Sequence, residues 1–143
     1  MPLLAVALLS LFAVDVAPTS DEAYLLIVNG ANPGTSIQRE AAAAIFLGQM
    51  TRWKADNRLI SPVDQSTRTA VRAAFSERIL RKPVMAVQFF WGQQLASGRG
   101  IPPPVKGSDD EVAAFVRANP SAIGYVSSGF AIGEGVKALK VVD

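Results

Sequence analysis

The chain has 143 residues, of which 50% are hydrophobic and 8% aromatic, enough for the core of one domain of ordinary size. Its 14 basic and 12 acidic residues leave a net charge of +2, so we expect no nucleic-acid partner. The absence of cysteine and histidine removes disulfides, thiol nucleophiles, the commonest zinc ligands and the usual proton-transfer side chain. The carboxylates do not follow a calcium-loop spacing, and we therefore expect neither a metal nor a cofactor.

The N-terminus looks like a targeting segment. Residues 3–14 are apolar except for Ser10, and this run is shorter than the roughly 20 residues that a membrane-spanning helix needs. We therefore predict a secretory signal over residues 1–23 and a periplasmic domain over 24–143 that has no membrane span after signal removal. No basic residue precedes the apolar run, so the true start could lie upstream of Met1. The alternative is that this run is a buried first strand or helix of the domain.

Strands and helices are predicted to alternate beyond the signal. Residues 24–28 form a continuous apolar run, which is typical of a strand covered on both faces. Ser36 is a candidate cap for a helix that ends at Gly48. The buried side of that helix is predicted to consist of Ala41, Ala44, Ile45 and Phe46.

A second strand over residues 59–63 is predicted to lead into a helix that runs to about Leu80 and is capped from within residues 64–67. Its inward side chains are predicted to be Val71, Ala74, Phe75 and Ile79. Pro83 starts a third helix. Its core positions are predicted to be Val84, Val87, Phe90, Trp91 and Leu95.

The segment 97–107 contains three consecutive prolines and is predicted to be a loop. Ser108 and Glu111 form a capping box for a fourth helix, whose core stripe is predicted to be Val112, Phe115 and Val116. Strands are then expected over residues 122–126 and 136–142. Because strands alternate with helices, the sequence predicts an α/β fold in a single domain.

Several motifs, in this order, carry a resemblance to a known family. They are the sequences IFLG at residues 45–48, TRW at 51–53, DDEVAAFVR at 109–117 and AIGYV at 122–126. Over about residues 24–130 the chain resembles the second lobe of the phosphate-binding protein of phosphate ABC transporters. The resemblance implies a periplasmic-binding-protein-like lobe, with a twisted mixed sheet, helices on both faces and an oxyanion bound at helix N-termini between two lobes. Only one lobe's length of chain is present here.

The resemblance also places the family's phosphate-binding loop. Aligned on Phe75, the family's arginine falls at Asp64, and its Ser-Gly-Thr turn falls at Thr69-Ala70-Val71, so only the first hydroxyl is retained. A carboxylate in place of the arginine would repel an anion by about 1 kcal/mol in water at 4 Å, and several-fold more in a sheltered cleft.

The same loop still offers a candidate anion site. Ser66, Thr67 and Thr69 stand where a helix start presents unpaired N–H groups, and Arg68 could add a bidentate cation. Ser127, at the carboxyl end of a strand, is a further candidate. The alternative is that Asp64 or Ser66 simply caps the helix while Arg68 is solvated.

Two functions follow from these patterns. The lead hypothesis is an exported solute-binding domain that binds phosphate or a similar small oxyanion through Ser66, Thr67, Arg68, Thr69 and Ser127. The alternative is a non-enzymatic envelope interaction domain that retains the fold, has lost the ligand site, and docks onto another envelope protein or a second copy of itself. We expect no enzyme, because no nucleophile with a partnering base can be identified.

Overall fold

A computed structural model describes residues 23–143. The strands are β1 (Tyr24–Asn29), β2 (Ser36–Gln38), β3 (Ser61–Pro62), β4 (Asp64–Gln65), β5 (Val105–Lys106), β6 (Ala122–Ser127), β7 (Val136–Ala138) and β8 (Lys140–Val142). The helices are α1 (Arg39–Phe46), α2 (Ala70–Phe75), α3 (Val84–Ala96) and α4 (Asp109–Ala118), and a π-helical segment (Ser76–Leu80) continues α2. Within this described part of the chain, no helix has both the length and the hydrophobicity to cross a bilayer. The predicted signal lies almost wholly outside the described residues and stays a prediction.

A mixed four-stranded sheet in the order β3-β6-β1-β7 forms the centre of the domain. Strand β1 runs antiparallel to both β6 and β7, whereas β3 runs parallel to β6. Two short parallel pairs, β2 with β8 and β4 with β5, lie beside this sheet. The carboxyl ends of β3 and β6 therefore point the same way, which brings the chain after each of them to one edge.

The sheet is covered on both faces, as the apolar run of β1 predicts. Leu26 of β1 and Tyr125 of β6 point to one face, where they pack with side chains of α1, α2, the π-helical segment and α3. Ile27 and Val126 point to the other face and pack with α4. Successive residues of a strand alternate between faces, so a strand between two helical layers must be apolar throughout. The predicted α/β fold with helices on both faces is confirmed.

Two predicted elements differ because long-range pairing overrides a local signal. Ser36 does not cap α1, since it lies in β2 and pairs with Lys140 of β8, and α1 begins at Arg39 after Gln38, which makes no side-chain cap. The single predicted strand over residues 136–142 is divided at Leu139, whose N–H donates to Leu26 O at 2.9 Å. Its two halves pair with different strands.

The inward faces of the helices are only partly as predicted. In α1 the buried residues are Ala42, Ile45 and Phe46, whereas Ala41 and Ala44 are half-buried. In α3 only Val87 and Trp91 are buried, and Leu95 is 52% exposed. The spacing of apolar residues in α3 does not identify its buried side, because apolar residues occur all around this helix.

Gly124 controls how closely α4 approaches the sheet. A Cβ at this position would lie 2.7 Å from Val63 Cγ1 and 2.9 Å from Val112 Cγ1. We expect Gly124→Ala to destabilise the fold by about 1–3 kcal/mol, because the packed side chains would have to move apart. Urea unfolding followed by circular dichroism measures this loss.

Gly92 in α3 is the matched control, since a Cβ there meets nothing within 4 Å. Gly92→Ala should stabilise the fold by about 0.5–1 kcal/mol through helix propensity. If the two alanine variants changed stability in the same direction, close approach at Gly124 would not be the cause.

Candidate functional site

The candidate site is built around a buried carboxylate. Asp64 is 4% exposed, and its backbone N–H is fixed by donating to Pro104 O at 2.8 Å beside β5. Its Oδ1 accepts hydrogen bonds from Tyr125 Oη and from Gln65 N and forms an ion pair with Arg72 Nη1. Burial of a carboxylate is costly unless charged and hydrogen-bonding partners surround it, and these groups supply both.

Arg72 supplies the positive charge from the first turn of the helix that follows. Its side chain is 5% exposed, and besides Asp64 it reaches Gln65 O at 3.4 Å. Its Nε has no hydrogen-bond partner among the described residues. Sequence reasoning missed Arg72, although a signal existed: it lies three and seven residues before Phe75 and Ile79, on the inward side of the helix. A cation on a buried stripe requires a counter-charge.

Tyr125 brings the sheet into this cluster. Its ring stacks on Phe75 with centroids 3.8 Å apart and meets Phe46 edge-on at 5.8 Å, so the phenol is held in a rigid aromatic environment. Burial first, and then the negative charge of Asp64, raise the pKa of Tyr125 well above its ordinary value, while Arg72 opposes this rise. Tyr125 therefore stays protonated and serves as a hydrogen-bond donor to the carboxylate.

The loop before α2 is closed by its own hydrogen bonds. Thr69 is the helix cap: its Oγ1 accepts from Arg72 N at 3.4 Å and donates to Ser66 O at 2.8 Å. Ser66 Oγ accepts from Arg68 N at 3.3 Å. The prediction that the cap lies within residues 64–67 is therefore wrong, because Asp64 is turned inward toward Arg72. Thr67 and the side chain of Arg68 remain exposed.

A second carboxylate joins Ser127 to this loop. Asp109 Oδ1 accepts from Ser127 N and from Gln65 Nε2, each at 3.0 Å. The loop after β4 and the end of β6 therefore meet at the start of α4, as their shared sheet edge requires. Ser108 caps α4 as predicted, with Glu111 N donating to its Oγ at 3.2 Å, while Glu111 Oε2 accepts from Gly107 N.

The predicted site residues are thus brought to one edge, but in a mixed electrostatic setting. The first turn of α4 contributes three carboxylates, Asp109, Asp110 and Glu111, and Asp109 contacts Gln65 directly. The cation nearest the buried carboxylate, Arg72, is already paired. Within residues 23–143, the acidic side chains form no group that could hold a metal ion. In this arrangement Tyr125 stays protonated, and the charges of Asp64 and Arg72 compensate each other.

Solved structures with a similar fold include proteins of phosphate transport. An ABC-type phosphate transport receptor from Vibrio cholerae is 24% identical, with a TM-score of 0.65, and the match covers 85% of this chain and 47% of the receptor. A putative phosphate ABC transporter substrate-binding protein from Clostridium perfringens, solved with bound phosphate, is 24% identical at a TM-score of 0.65, with coverages of 84% and 46%. PstS from Borrelia burgdorferi is 20% identical at 0.65, with coverages of 83% and 47%.

These neighbours confirm the predicted resemblance at the level of the fold. The chain spans less than half of their length, which agrees with the prediction that it corresponds to one lobe. The sequence matches no protein-family model, and no curated protein is significantly similar to it. The neighbours are transport receptors, and their low identity carries no residue of their binding sites over to this chain.

The buried phenol gives the site a measurable pH dependence. The folded state retains the Tyr125 proton above the ordinary tyrosine pKa of about 10, at which the unfolded chain releases it. Its contribution to stability is therefore complete below about pH 10 and is lost as the pH rises further, through the raised folded-state pKa. We expect the wild-type unfolding free energy to fall more steeply above pH 10 than that of Tyr125→Phe.

The Tyr125→Phe variant should also lose about 1–3 kcal/mol at neutral pH, because Asp64 and Gln65 each lose a hydrogen-bond partner. Denaturant unfolding at a series of pH values measures both effects. Equal slopes for the two proteins above pH 10, or a phenolate absorbance from Tyr125 at its ordinary pKa, would contradict this assignment.

Proposed function

We propose that this domain is a non-enzymatic interaction domain of the cell envelope that retains a solute-receptor fold while its own Asp64 carboxylate satisfies the site. The observation that carries this proposal is the buried ion pair between Asp64 and Arg72, whose side chains are 6% and 5% exposed. In the resemblance to the phosphate-binding family, Asp64 stands where an arginine is expected. The guanidinium of Arg72 is therefore neutralised from within the chain.

Electrostatic interactions favour an interaction domain over a domain that binds an anion. A phosphate approaching the loop meets the acidic first turn of α4, which begins with Asp109 and Asp110, and the guanidinium of Arg72 is already paired with Asp64. Repulsion between unit charges at 4 Å amounts to about 1 kcal/mol in water and rises as the surroundings become less polar. Displacing Asp64 from Arg72 would also leave a buried carboxylate unpaired, which is strongly unfavourable.

The open architecture points the same way. Thr67 and Arg68 are exposed among the described residues, so a ligand bound to these two side chains would lie at the surface of this part of the chain. An exposed ligand forms few contacts against the entropy cost of binding. The fold that the chain shares with transport receptors supports an exported location and a non-catalytic role.

Removal of the internal charge tests this proposal. Asp64→Asn keeps the side-chain shape but leaves Arg72 uncompensated, and it should cost about 3–5 kcal/mol of stability. Phosphate should recover part of this loss, because the anion replaces the missing counter-charge. Thermal and urea unfolding at increasing phosphate concentration, at constant ionic strength, measure both effects.

Asp110→Asn is the matched control, since Asp110 is exposed in α4 and its substitution removes the same charge close to the loop. Its stability should hardly change, and phosphate should have no specific effect on it. Wild-type protein should bind phosphate no more tightly than a Kd of about 1 mM, equivalent to roughly 4 kcal/mol. Saturable calorimetric binding by the wild type well below that concentration would reject the proposal.

The second candidate function is weak capture of a phosphate-like oxyanion by Ser66, Thr67, Arg68, Thr69 and Ser127. It is favoured by the exposure of Thr67 and Arg68 at the start of α2 and by the unpartnered Nε of Arg72 among the described residues. Under this function Arg68→Ala should weaken phosphate binding about tenfold or more, since a charge-assisted hydrogen bond is lost. Arg52→Ala, at another exposed arginine, should leave binding unchanged in the same titration.

A further inference from the structure

The excess positive charge of the chain is concentrated in one segment. Residues 78–108 contain five arginines and lysines and no aspartate or glutamate. The five cations are Arg78, Arg81, Lys82, Arg99 and Lys106. The rest of the chain contains all 12 acidic residues, so this segment is a cationic region on an otherwise slightly acidic protein.

The same segment holds most of the exposed hydrophobic surface. Of the six large hydrophobic side chains that are exposed in residues 23–143, five belong to it. They are Met85 at 79%, Phe89 at 68%, Leu95 at 52%, Ile101 at 80% and Val105 at 59% exposure. Apolar side chains this exposed and this concentrated indicate an interaction surface rather than ordinary solvent-facing residues.

Helix α3 is the main element of this surface. Its 13 residues include no charged side chain, yet only Val87 and Trp91 are buried against the domain. Met85 and Phe89, four residues apart, lie on the opposite side and point outward. A helix that is apolar all around is expected to be covered on every side, and here one side is open.

Cations lie close to both ends of α3. Arg81 and Lys82 immediately precede the helix and Arg99 follows it, and all three are exposed. We propose that this apolar-cationic face, formed by Met85, Phe89, Arg81, Lys82 and Arg99, docks onto an anionic membrane surface. The cations meet lipid phosphates while Met85 and Phe89 enter the boundary between headgroups and acyl chains.

Charge favours a membrane surface over a second copy of the chain as the partner of this face. A second copy of the chain would bring Arg81 and Lys82 against Arg99 or against their own equivalents, and a single carboxylate, Glu77, lines the surface depression that Arg81 and Lys82 share. A membrane surface offers mobile negative charge at both ends of the helix. Binding to a membrane surface also requires no preformed groove. This agrees with apolar side chains that are presented by a helix, by the loop at Ile101 and by β5.

This inference deepens the proposed interaction function and rests on it, but its test does not involve the Asp64 loop. Phosphate capture by that loop would overturn the proposed function and leave vesicle binding unaffected. Failure of vesicle binding would overturn the membrane assignment and leave the charge-neutral site as it is. The two failures are therefore distinguishable.

The experiment is flotation of the full chain with vesicles of phosphatidylglycerol and phosphatidylcholine, compared with vesicles of phosphatidylcholine alone. We expect binding to the anionic vesicles that weakens with salt and is much lower on the neutral ones. The N-terminal apolar run could bind lipid by itself, but all variants share it, so differences between variants report on the apolar-cationic face alone. Phe89→Trp should bind like the wild type, with a blue shift of its fluorescence.

Arg81→Asn with Lys82→Gln should weaken binding about 25-fold, at about fivefold for each cation near the surface. Asparagine is chosen because Arg81 has a φ of 57°, which asparagine tolerates. Met85→Gln with Phe89→Gln should weaken binding about tenfold or more. Arg52→Gln with Lys54→Gln, two exposed cations outside the segment, removes the same charge and should bind within about twofold of the wild type.

Three outcomes would overturn the proposal. They are equal binding of the wild type to neutral and anionic vesicles, unchanged binding by both double variants of the face, and no binding to anionic vesicles. In the last case, self-association that Met85→Gln with Phe89→Gln abolishes would assign the face to a second copy, and capture of an acidic protein would assign it to such a partner.

Discussion

The candidate site depends on burial of one negative charge, the carboxylate of Asp64. A lone carboxylate is not stable in a protein interior, so Asp64 requires both the guanidinium of Arg72 and the hydroxyl of Tyr125. These partners come from α2 and β6, and the interactions of Asp64 with both of them fix the loop between β4 and α2. With Asp64 turned inward, the helix start is left to Thr69, which caps it.

The same interaction compensates the charge of the candidate site from within the chain. Within the described residues the central carboxylate and guanidinium compensate each other, and Asp109 accepts the hydrogen bonds of Ser127 and Gln65. An anion would have to compete with carboxylates that are already held in place. In the proposed function, recognition therefore shifts from the loop at the sheet edge to the surface of the domain.

Helix α3 links this shift to the packing of the domain. The central strands are covered on both faces, and in the layer of α1, α2 and α3 over Leu26 and Tyr125 the helix α3 buries Val87 and Trp91, with Phe90 partly buried beside them. Met85, Phe89 and Leu95 of the same helix are exposed. Their exposure, together with the cations at both helix ends, gives the domain a surface whose composition differs from the rest of the chain.

The sequence by itself determined the α/β fold, the two central strands, the cap of α4 and the resemblance confirmed by structural neighbours, because these depend on continuous apolar runs and local spacing. It placed the candidate loop between a strand and a helix but did not show the direction in which Asp64 points. Only the tertiary structure decided that, since Tyr125 lies 61 residues away and Arg72 becomes a partner only when its helix docks. The tertiary structure also decided that Ser36 pairs with β8 instead of capping α1 and that Leu95 is exposed. The spacing of apolar residues does not show which side of a helix contacts the rest of the domain.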